Sequence, residues 1–266
     1  MPPRLAGLAG VVAALWAAAA LAAQPLTGSE RDYDALLALT VDARVVLLGE
    51  ATHGSREFYR ERARITRRLI EEQGFDALVL EAPWEMTRRI DAYVRGDSRD
   101  PDAGAALAGF VRFPAWPTRN SEIRDFIEAL RTANRAPARQ RNPLRVYGMD
   151  VYSLPESADA VVRHVARRSI TAAAMARQRY HCFGDYTEPS FYDREVDAGR
   201  APSCAEGAVA QLAELETMTV ATEDDFSAWQ SARVVSHGER YYRALYRGES
   251  VGSWNLRELH MADTIV

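Results

Sequence analysis

Short apolar runs alternate with longer amphipathic segments in the first half of the chain. An apolar run at residues 45–48 is followed by an amphipathic stretch at 56–72 and a second apolar run at 77–80. A third run of strand length lies at 144–148. Buried parallel strands read as short apolar runs, and crossover helices join them. The pattern therefore predicts an α/β fold with a mainly parallel sheet core and crossover helices.

Further segments combine helix-start residues with apolar positions at helical spacing. They predict helices at residues 27–39, 85–94, 102–109, 121–134, 157–168, 205–219 and 225–246, and from 254 onward. Residues 177–204 are rich in aromatic residues without that spacing, which predicts a loop-rich segment. We therefore expect a helical, loop-rich C-terminal region beside the sheet.

The N-terminus differs from the rest of the chain. Residues 5–23 carry no charge, follow Arg4, and end in a small-residue pattern at Ala20 and Ala22. This order is typical of a secretory signal peptide, although an uncleaved membrane anchor is the alternative. We expect residues 1–23 to be removed, leaving one domain at 24–266 in the periplasm or outside the cell, without stable membrane association.

Composition and cysteine content narrow the possibilities. The chain is 47% hydrophobic and has a formal net charge of −4, so it is typical of a globular protein and gives no sign of a nucleic-acid partner. Its two cysteines, Cys182 and Cys204, are predicted to form a disulfide because an exported protein folds in an oxidising compartment. Two free thiols are the alternative.

The three apolar runs are each followed by an acidic residue: Glu50, Glu81 and Asp150. Because the carboxyl ends of parallel strands meet at one edge of a sheet, these side chains are predicted to share a polar cleft with His53. A carboxylate three residues before an imidazole can orient it as a base, or both can bind a metal. A structural His53 and a capping or ion-pairing Asp150 are the alternatives.

Several segments resemble the erythromycin esterase family. They are GEATHG at 49–54 with Arg56, Glu57, Phe58 and Arg62 after it, LEAPW at 80–84, Trp116 with the helix at 121–134, YGMD at 147–150, and SWNLRELHM at 253–261. The resemblance runs from about Leu36 to the end of the chain. It implies a hydrolase that cleaves a small-molecule carboxylic ester or lactone, and the predicted signal peptide makes it an exported one. This class of reaction includes the opening of a macrolide lactone, which is a route to antibiotic resistance.

The resemblance also implies roles for individual residues. His53 is expected to activate water, and Arg62 to stabilise the developing oxyanion. Glu50 and Glu81 are expected to orient the imidazole of His53 or to share its proton. No cofactor or metal is implied. Substrate contact is expected from Glu57, Trp116, Asp150, Tyr152, Asn255 and Arg257.

The chain departs from the family at its C-terminus. Family members continue into a portion with a further strand and a His-Asn-x-His motif, and this sequence ends at Val266 before it. We therefore expect a domain truncated relative to the family. Two alternatives to the esterase hypothesis are a metal-dependent hydrolase that uses Glu50, His53 and Glu81 as ligands, and an exported binding protein without catalysis.

Overall fold

A computed structural model of the protein describes residues 25–50, 52–111, 115–184 and 189–265. Within these residues the sheet consists of two parallel strands, β1 (Ala77–Pro83) and β2 (Arg145–Asp150). Ala77 lies opposite Arg145 and Leu80 opposite Gly148, and the register shifts before Pro83 meets Asp150. Both strands end at the same edge, as predicted. The signal-peptide prediction lies outside the described residues.

The first of the three expected strands, at residues 45–48, is not formed in the described part of the chain. Val45 is 55% exposed and Leu47 is 76% exposed, so the side chains of this run are not packed as those of a buried strand would be. An apolar run of four residues shows that a segment suits burial, but a strand also needs a paired neighbour. The described chain is therefore mostly helical around a two-stranded parallel sheet, and a full α/β core is not confirmed.

The helices account for most of the described residues. In chain order they are α1 (Asp34–Ala38), α2 (Arg56–Gln73), α3 (Trp84–Arg95), α4 (Ala103–Ala106), α5 (Ser121–Asn134), α6 (Leu154–Ala166), α7 (Ile170–Tyr180), α8 (Pro189–Asp197), α9 (Ala205–Glu216), α10 (Glu223–Tyr246) and α11 (Ser250–Ile265). Short 3₁₀ turns lie at Glu30–Tyr33, Leu107–Gly109, Pro137–Arg139 and His181–Phe183.

Local signals set several of these boundaries. The helix α2 ends at Gly74 and α3 ends at Gly96, both with positive φ, a conformation that glycine adopts without strain. The side chain of Asn120 accepts a hydrogen bond from the backbone N–H of Ile123 and caps the start of α5. Thr222 and Asp225 form a capping box at the start of α10.

Two large apolar clusters and a smaller one around Tyr33, Leu37 and Leu69 form the core of the described residues. The first large cluster lies beside the sheet, where α3 packs against both strands and α5 packs against α3; it includes Ile90, Ile127, Leu130, Leu144 and Val146. The second large cluster lies among the C-terminal helices, where α10 packs against α6, α9 and α11. The site described below lies where the ends of the strands meet α11.

The segment at 177–204 is more helical than predicted. Among the residues that the structure describes, it contains the end of α7, a 3₁₀ turn and all of α8, so less of it is loop than the sequence suggested. The predicted disulfide is confirmed: Cys182 is bonded to Cys204, with 5.4 Å between their Cα atoms. The bond links the 3₁₀ turn after α7 to the start of α9.

Candidate functional site

A cleft of about 1350 Å³ opens at the carboxyl ends of β1 and β2. Its walls come from the extended segment 44–50, from α2, from the strand ends and from α11. Seven of the predicted site residues line it: Glu50, His53, Arg62, Glu81, Asp150, Tyr152 and Arg257. The three acids Glu50, Glu81 and Asp150 therefore lie along one cleft with His53.

The first charged group in the cleft is centred on Glu50. Its Oε2 lies 3.1 Å from Nδ1 of His53 and 3.3 Å from Nη1 of Arg62. Its Oε1 lies 3.1 Å from Nη2 of Arg62, as an ion pair without hydrogen-bond geometry, so this buried oxygen has no hydrogen-bond partner among the described residues. Glu50 is therefore held by two cationic or proton-donating groups and keeps one acceptor unsatisfied.

His53 lies in the turn between this segment and α2, and its side chain is 49% exposed. A carboxylate beside Nδ1 favours the tautomer with the proton on Nδ1. The Nε2 lone pair is then the one that can accept a proton from a molecule in the cleft. Within the part of the chain that the structure describes, no side chain bonds to Nε2.

Tyr59 supports this turn from the second turn of α2. Its hydroxyl donates a hydrogen bond to the backbone oxygen of His53 at 3.1 Å, and the guanidinium of Arg62 lies 5.2 Å from its ring centroid. Burial raises the pKa of Tyr59 to about 12, and the negative charges of Glu50 and Glu81 add to this effect. Tyr59 is therefore a neutral donor at physiological pH and lies within electrostatic range of both carboxylates.

The second charged group is centred on Arg257 of α11. Nε and Nη2 donate to the two carboxylate oxygens of Asp150 at 3.1 and 2.6 Å, and Nη2 also donates to Oε1 of Glu81 at 2.7 Å. Burial alone would lower the pKa of the Arg257 guanidinium. The hydrogen bonds and negative charge of Asp150 outweigh burial, so the pKa is raised. The rings of Tyr152 and Trp254 lie 5.0 and 5.8 Å from the guanidinium carbon.

Three predicted substrate-contact residues do not line the cleft. Glu57 is exposed on the first turn of α2, where Ser55 donates to its Oε2 at 2.9 Å. Trp116 is 48% exposed, in the turn before α5, and Asn255 is exposed on α11. Their backbones are close to the site, but helical geometry points Glu57 and Asn255 away from it, whereas Arg62 and Arg257 on the same two helices point in.

The cleft also contains residues that the sequence analysis missed. They include Tyr59, Glu156, Trp254 and Glu258. Tyr59 and Trp254 each lie three residues before a site arginine on the same helix, and residues at this spacing share a helix face. That spacing is the signal by which they could have been found.

The remaining histidines lie elsewhere. His164 of α6 lies 3.2 Å from Asp225, His181 is exposed beside the disulfide, and His237 of α10 lies 2.9 Å from His260 of α11. In the described residues no three His, Cys, Asp or Glu side chains are grouped so that they could hold a metal ion. No helix in those residues is both long and apolar enough to cross a membrane.

This arrangement places a carboxylate-oriented imidazole, a nearby arginine and a second carboxylate around a cleft that can hold a small molecule. An oriented imidazole can remove a proton from water, and a guanidinium can stabilise negative charge that develops on oxygen. The geometry therefore contains the groups needed for hydrolysis without a covalent nucleophile.

Solved structures with a similar fold are known. A Bacillus cereus protein is 20% identical, with a TM-score of 0.72 over 89% of this chain and 57% of its own. A succinoglycan biosynthesis protein is 19% identical, with a TM-score of 0.68 over 91% of this chain and 56% of its own. A point mutant of the erythromycin esterase EreC in its open conformation is 18% identical, with a TM-score of 0.61 over 88% of this chain and 60% of its own.

At these identities the likeness concerns the fold alone, and the chain spans less than two thirds of each of these solved proteins. The sequence profile of the erythromycin esterase family matches residues 70–266. That range contains Glu81, Asp150 and Arg257, and it begins after Glu50, His53 and Arg62. The match covers about three quarters of this chain, and the chain therefore belongs to the erythromycin esterase family.

Proposed function

We propose that the protein hydrolyses a carboxylic ester or lactone with a water molecule activated by His53. The observation that carries the proposal is the 3.1 Å contact between His53 Nδ1 and Glu50 Oε2 at the edge of the cleft. This contact fixes the imidazole with Nε2 available as the base. Membership of the erythromycin esterase family supports a hydrolase. The erythromycin esterase EreC also has a similar fold.

In this mechanism the substrate carbonyl lies in the cleft with its oxygen toward Arg62. His53 removes a proton from water as the water attacks the carbonyl carbon, and Glu50 and Glu81 stabilise the imidazolium that forms. Arg62 stabilises the oxyanion of the tetrahedral intermediate. The imidazolium then returns the proton to the leaving alkoxide, which yields a carboxylic acid and an alcohol, or one ring-opened hydroxy acid from a lactone.

The test compares two histidine variants of the protein expressed from its complete reading frame. Hydrolysis of p-nitrophenyl esters and of macrolide lactones is measured per folded molecule. His53→Ala is expected to lose about 10²–10⁴-fold in kcat, the range for removal of a general base. His181→Ala is the matched control, since His181 is exposed and outside the cleft, and it is expected to retain full activity. Equal turnover by the two variants would refute the mechanism.

We also propose that the protein acts after export. The disulfide between Cys182 and Cys204 supports this, because disulfides persist in oxidising compartments. Edman sequencing of protein from the periplasm is expected to begin near Ala23 or Gln24. An intact N-terminus on protein found only in the cytosol would contradict export and would leave the ester-hydrolysis proposal standing.

A further inference from the structure

Arg257 is a buried cation between two carboxylates at the floor of the cleft. Its side chain is 8% exposed and that of Asp150 is 3% exposed, whereas the side chain of Glu81 is 40% exposed. A guanidinium bound through two of its nitrogens to one carboxylate is held in a fixed plane. The Nη2 atom that completes this fork with Asp150 also donates to Oε1 of Glu81.

Two neighbouring contacts make this arrangement rigid. Oδ1 of Asp150 also accepts a hydrogen bond from the backbone N–H of Val151 at 2.7 Å, which fixes the carboxylate to the end of β2. The rings of Tyr152 and Trp254 lie within cation–π range of the guanidinium. The position of Nη2, and therefore that of Oε1 of Glu81, is set by groups from β2 and α11.

The donors Nε and Nη2 of Arg257 are directed at protein carboxylates. Separation of the Asp150 pair would leave a buried charge unpaired, so these two donors stay with the carboxylates. Glu81 has the opposite arrangement. One of its oxygens is fixed by Arg257, and its Oε2 accepts no hydrogen bond from the described residues and belongs to a side chain that lines the cleft.

We infer that Arg257, anchored by Asp150, is a positioning residue that holds the carboxylate of Glu81 at the cleft. This inference rests on the proposed hydrolysis, since it concerns how Glu81 reaches the reacting groups. It assigns to Arg257 and Asp150 a role that differs from the substrate contact implied by the family resemblance. In this role Arg257 acts on the reaction through Glu81.

The kinetic test uses Arg257→Lys, which keeps the positive charge but replaces the planar fork with a single point of contact. A positioning role predicts a fall in kcat of about 10–100-fold with little change in KM, the size of effect seen when a reacting group is misplaced. A substrate-binding role predicts a raised KM with kcat unchanged. That second result would overturn the inference.

A double-mutant cycle separates positioning from general destabilisation. If Arg257 acts through Glu81, Arg257→Lys in a Glu81→Gln background is expected to lower kcat no further. A loss of the same factor in both backgrounds would overturn the inference.

The matched control is Arg145→Lys. Arg145 forms the same two-pronged pair with Asp91, at 3.0 and 2.9 Å, at the opposite end of β2 and outside the cleft. It is expected to lower the melting temperature without changing kcat per folded molecule. A loss of kcat like that of Arg257→Lys would show that loosening any such pair slows turnover, and would count against the inference.

A crystal structure of the Arg257→Lys variant provides a readout that does not depend on turnover. The carboxylate of Glu81 is expected to leave its present position. If it stays in place, the inference is wrong even where hydrolysis by the wild-type protein is confirmed. If His53→Ala keeps full activity while Glu81 is displaced in Arg257→Lys, the proposed function fails and the positioning role stands.

Discussion

Arg62 contacts both oxygens of Glu50, and its side chain remains 28% exposed at the cleft. It can therefore balance the charge of Glu50 in the resting site and turn toward an oxyanion when one forms. Arg67 lies on the same helix and pairs at 3.5 Å with Glu71, but it is half exposed and outside the cleft. Variants of Arg62 and Arg67 therefore distinguish the loss of a cleft residue from the loss of a positive charge on α2.

Arg62→Ala is expected to lower kcat by about 10²–10³-fold, the cost of losing one donor to an oxyanion. Arg67→Ala is expected to leave kcat unchanged, because Arg67 lies outside the cleft. Its exposed ion pair contributes only about a few tenths of a kcal/mol to stability, so the variant is also expected to fold normally. Steady-state kinetics on purified variants checks both values. Similar losses in the two variants would show that Arg62 acts through the charge of the helix.

Gly148 allows the two strands to approach each other beside the site. A Cβ atom at this position would lie 2.5 Å from the backbone oxygen of Ala82 and 2.7 Å from Oγ1 of Thr87. These contacts are shorter than van der Waals separation, and Ala82 immediately follows Glu81. Relief of the clash would move the end of β1 that carries the carboxylate.

Gly148→Ala is expected to lower the free energy of unfolding by about 1–3 kcal/mol, the usual cost of overpacking. Gly109→Ala is the control, because its added Cβ would meet its nearest neighbour, the sulfur of Met86, at an ordinary 3.7 Å. Urea denaturation of both variants measures the difference. Equal stabilities would show that the strands can separate at no cost.

At the scale of elements, α11 is held against α10 by a pair of histidines. Nδ1 of His237 lies 2.9 Å from Nδ1 of His260, and His260 is almost fully buried. Burial lowers the pKa of His260 to about 3, and His237 and Arg233 add to the effect. Burial also lowers the pKa of His237, with Arg233 and Arg240 acting in the same direction and Asp263 opposing them.

This pair predicts loss of stability in acid. In the unfolded chain a histidine takes up a proton near pH 6.5, whereas folded His260 does not until about pH 3. Stability is therefore complete above about pH 6.5 and falls as the pH decreases toward 3. Between pH 7 and pH 5 the loss attributable to His260 is about 2 kcal/mol.

Urea denaturation at pH 7 and pH 5 measures this loss. His260→Asn is expected to depend less on pH than the wild type by about that amount, because the titrating group is gone. His181→Asn, at an exposed histidine, is expected to keep the wild-type pH dependence. If His260→Asn also keeps the wild-type pH dependence, His260 does not cause the loss of stability in acid.

The elements that sequence patterns predicted well are those whose own residues determine them. The amphipathic helix α2 and the strands β1 and β2 were found because their apolar spacing or strand-length runs are local properties. The run at 45–48 failed because strand formation depends on a neighbour that the pattern does not describe. The helix α7 was missed although Ser169 caps it, since its weakly amphipathic face gives little periodic signal.

For the whole molecule, topology made the site predictable in part. Glu50, Glu81 and Asp150 were placed in one cleft because parallel strands end at one edge, and this held although one of the three runs is not a strand. The partner of Asp150 could not be predicted from spacing, because Arg257 lies 107 residues further along the chain. Contacts at that separation follow from the packing of α11.

The central claim is that Glu50 and His53 act as one catalytic unit, and a double-mutant cycle on kcat/KM tests it most directly. Glu50→Gln, His53→Ala and the double variant are compared with the wild type. Residues that act as a unit are strongly non-additive, so the double variant is expected to be no slower than His53→Ala by more than about twofold. If the two single losses multiply, or if His53→Ala turns over esters at the wild-type rate, Glu50 does not act through His53 and the account is contradicted.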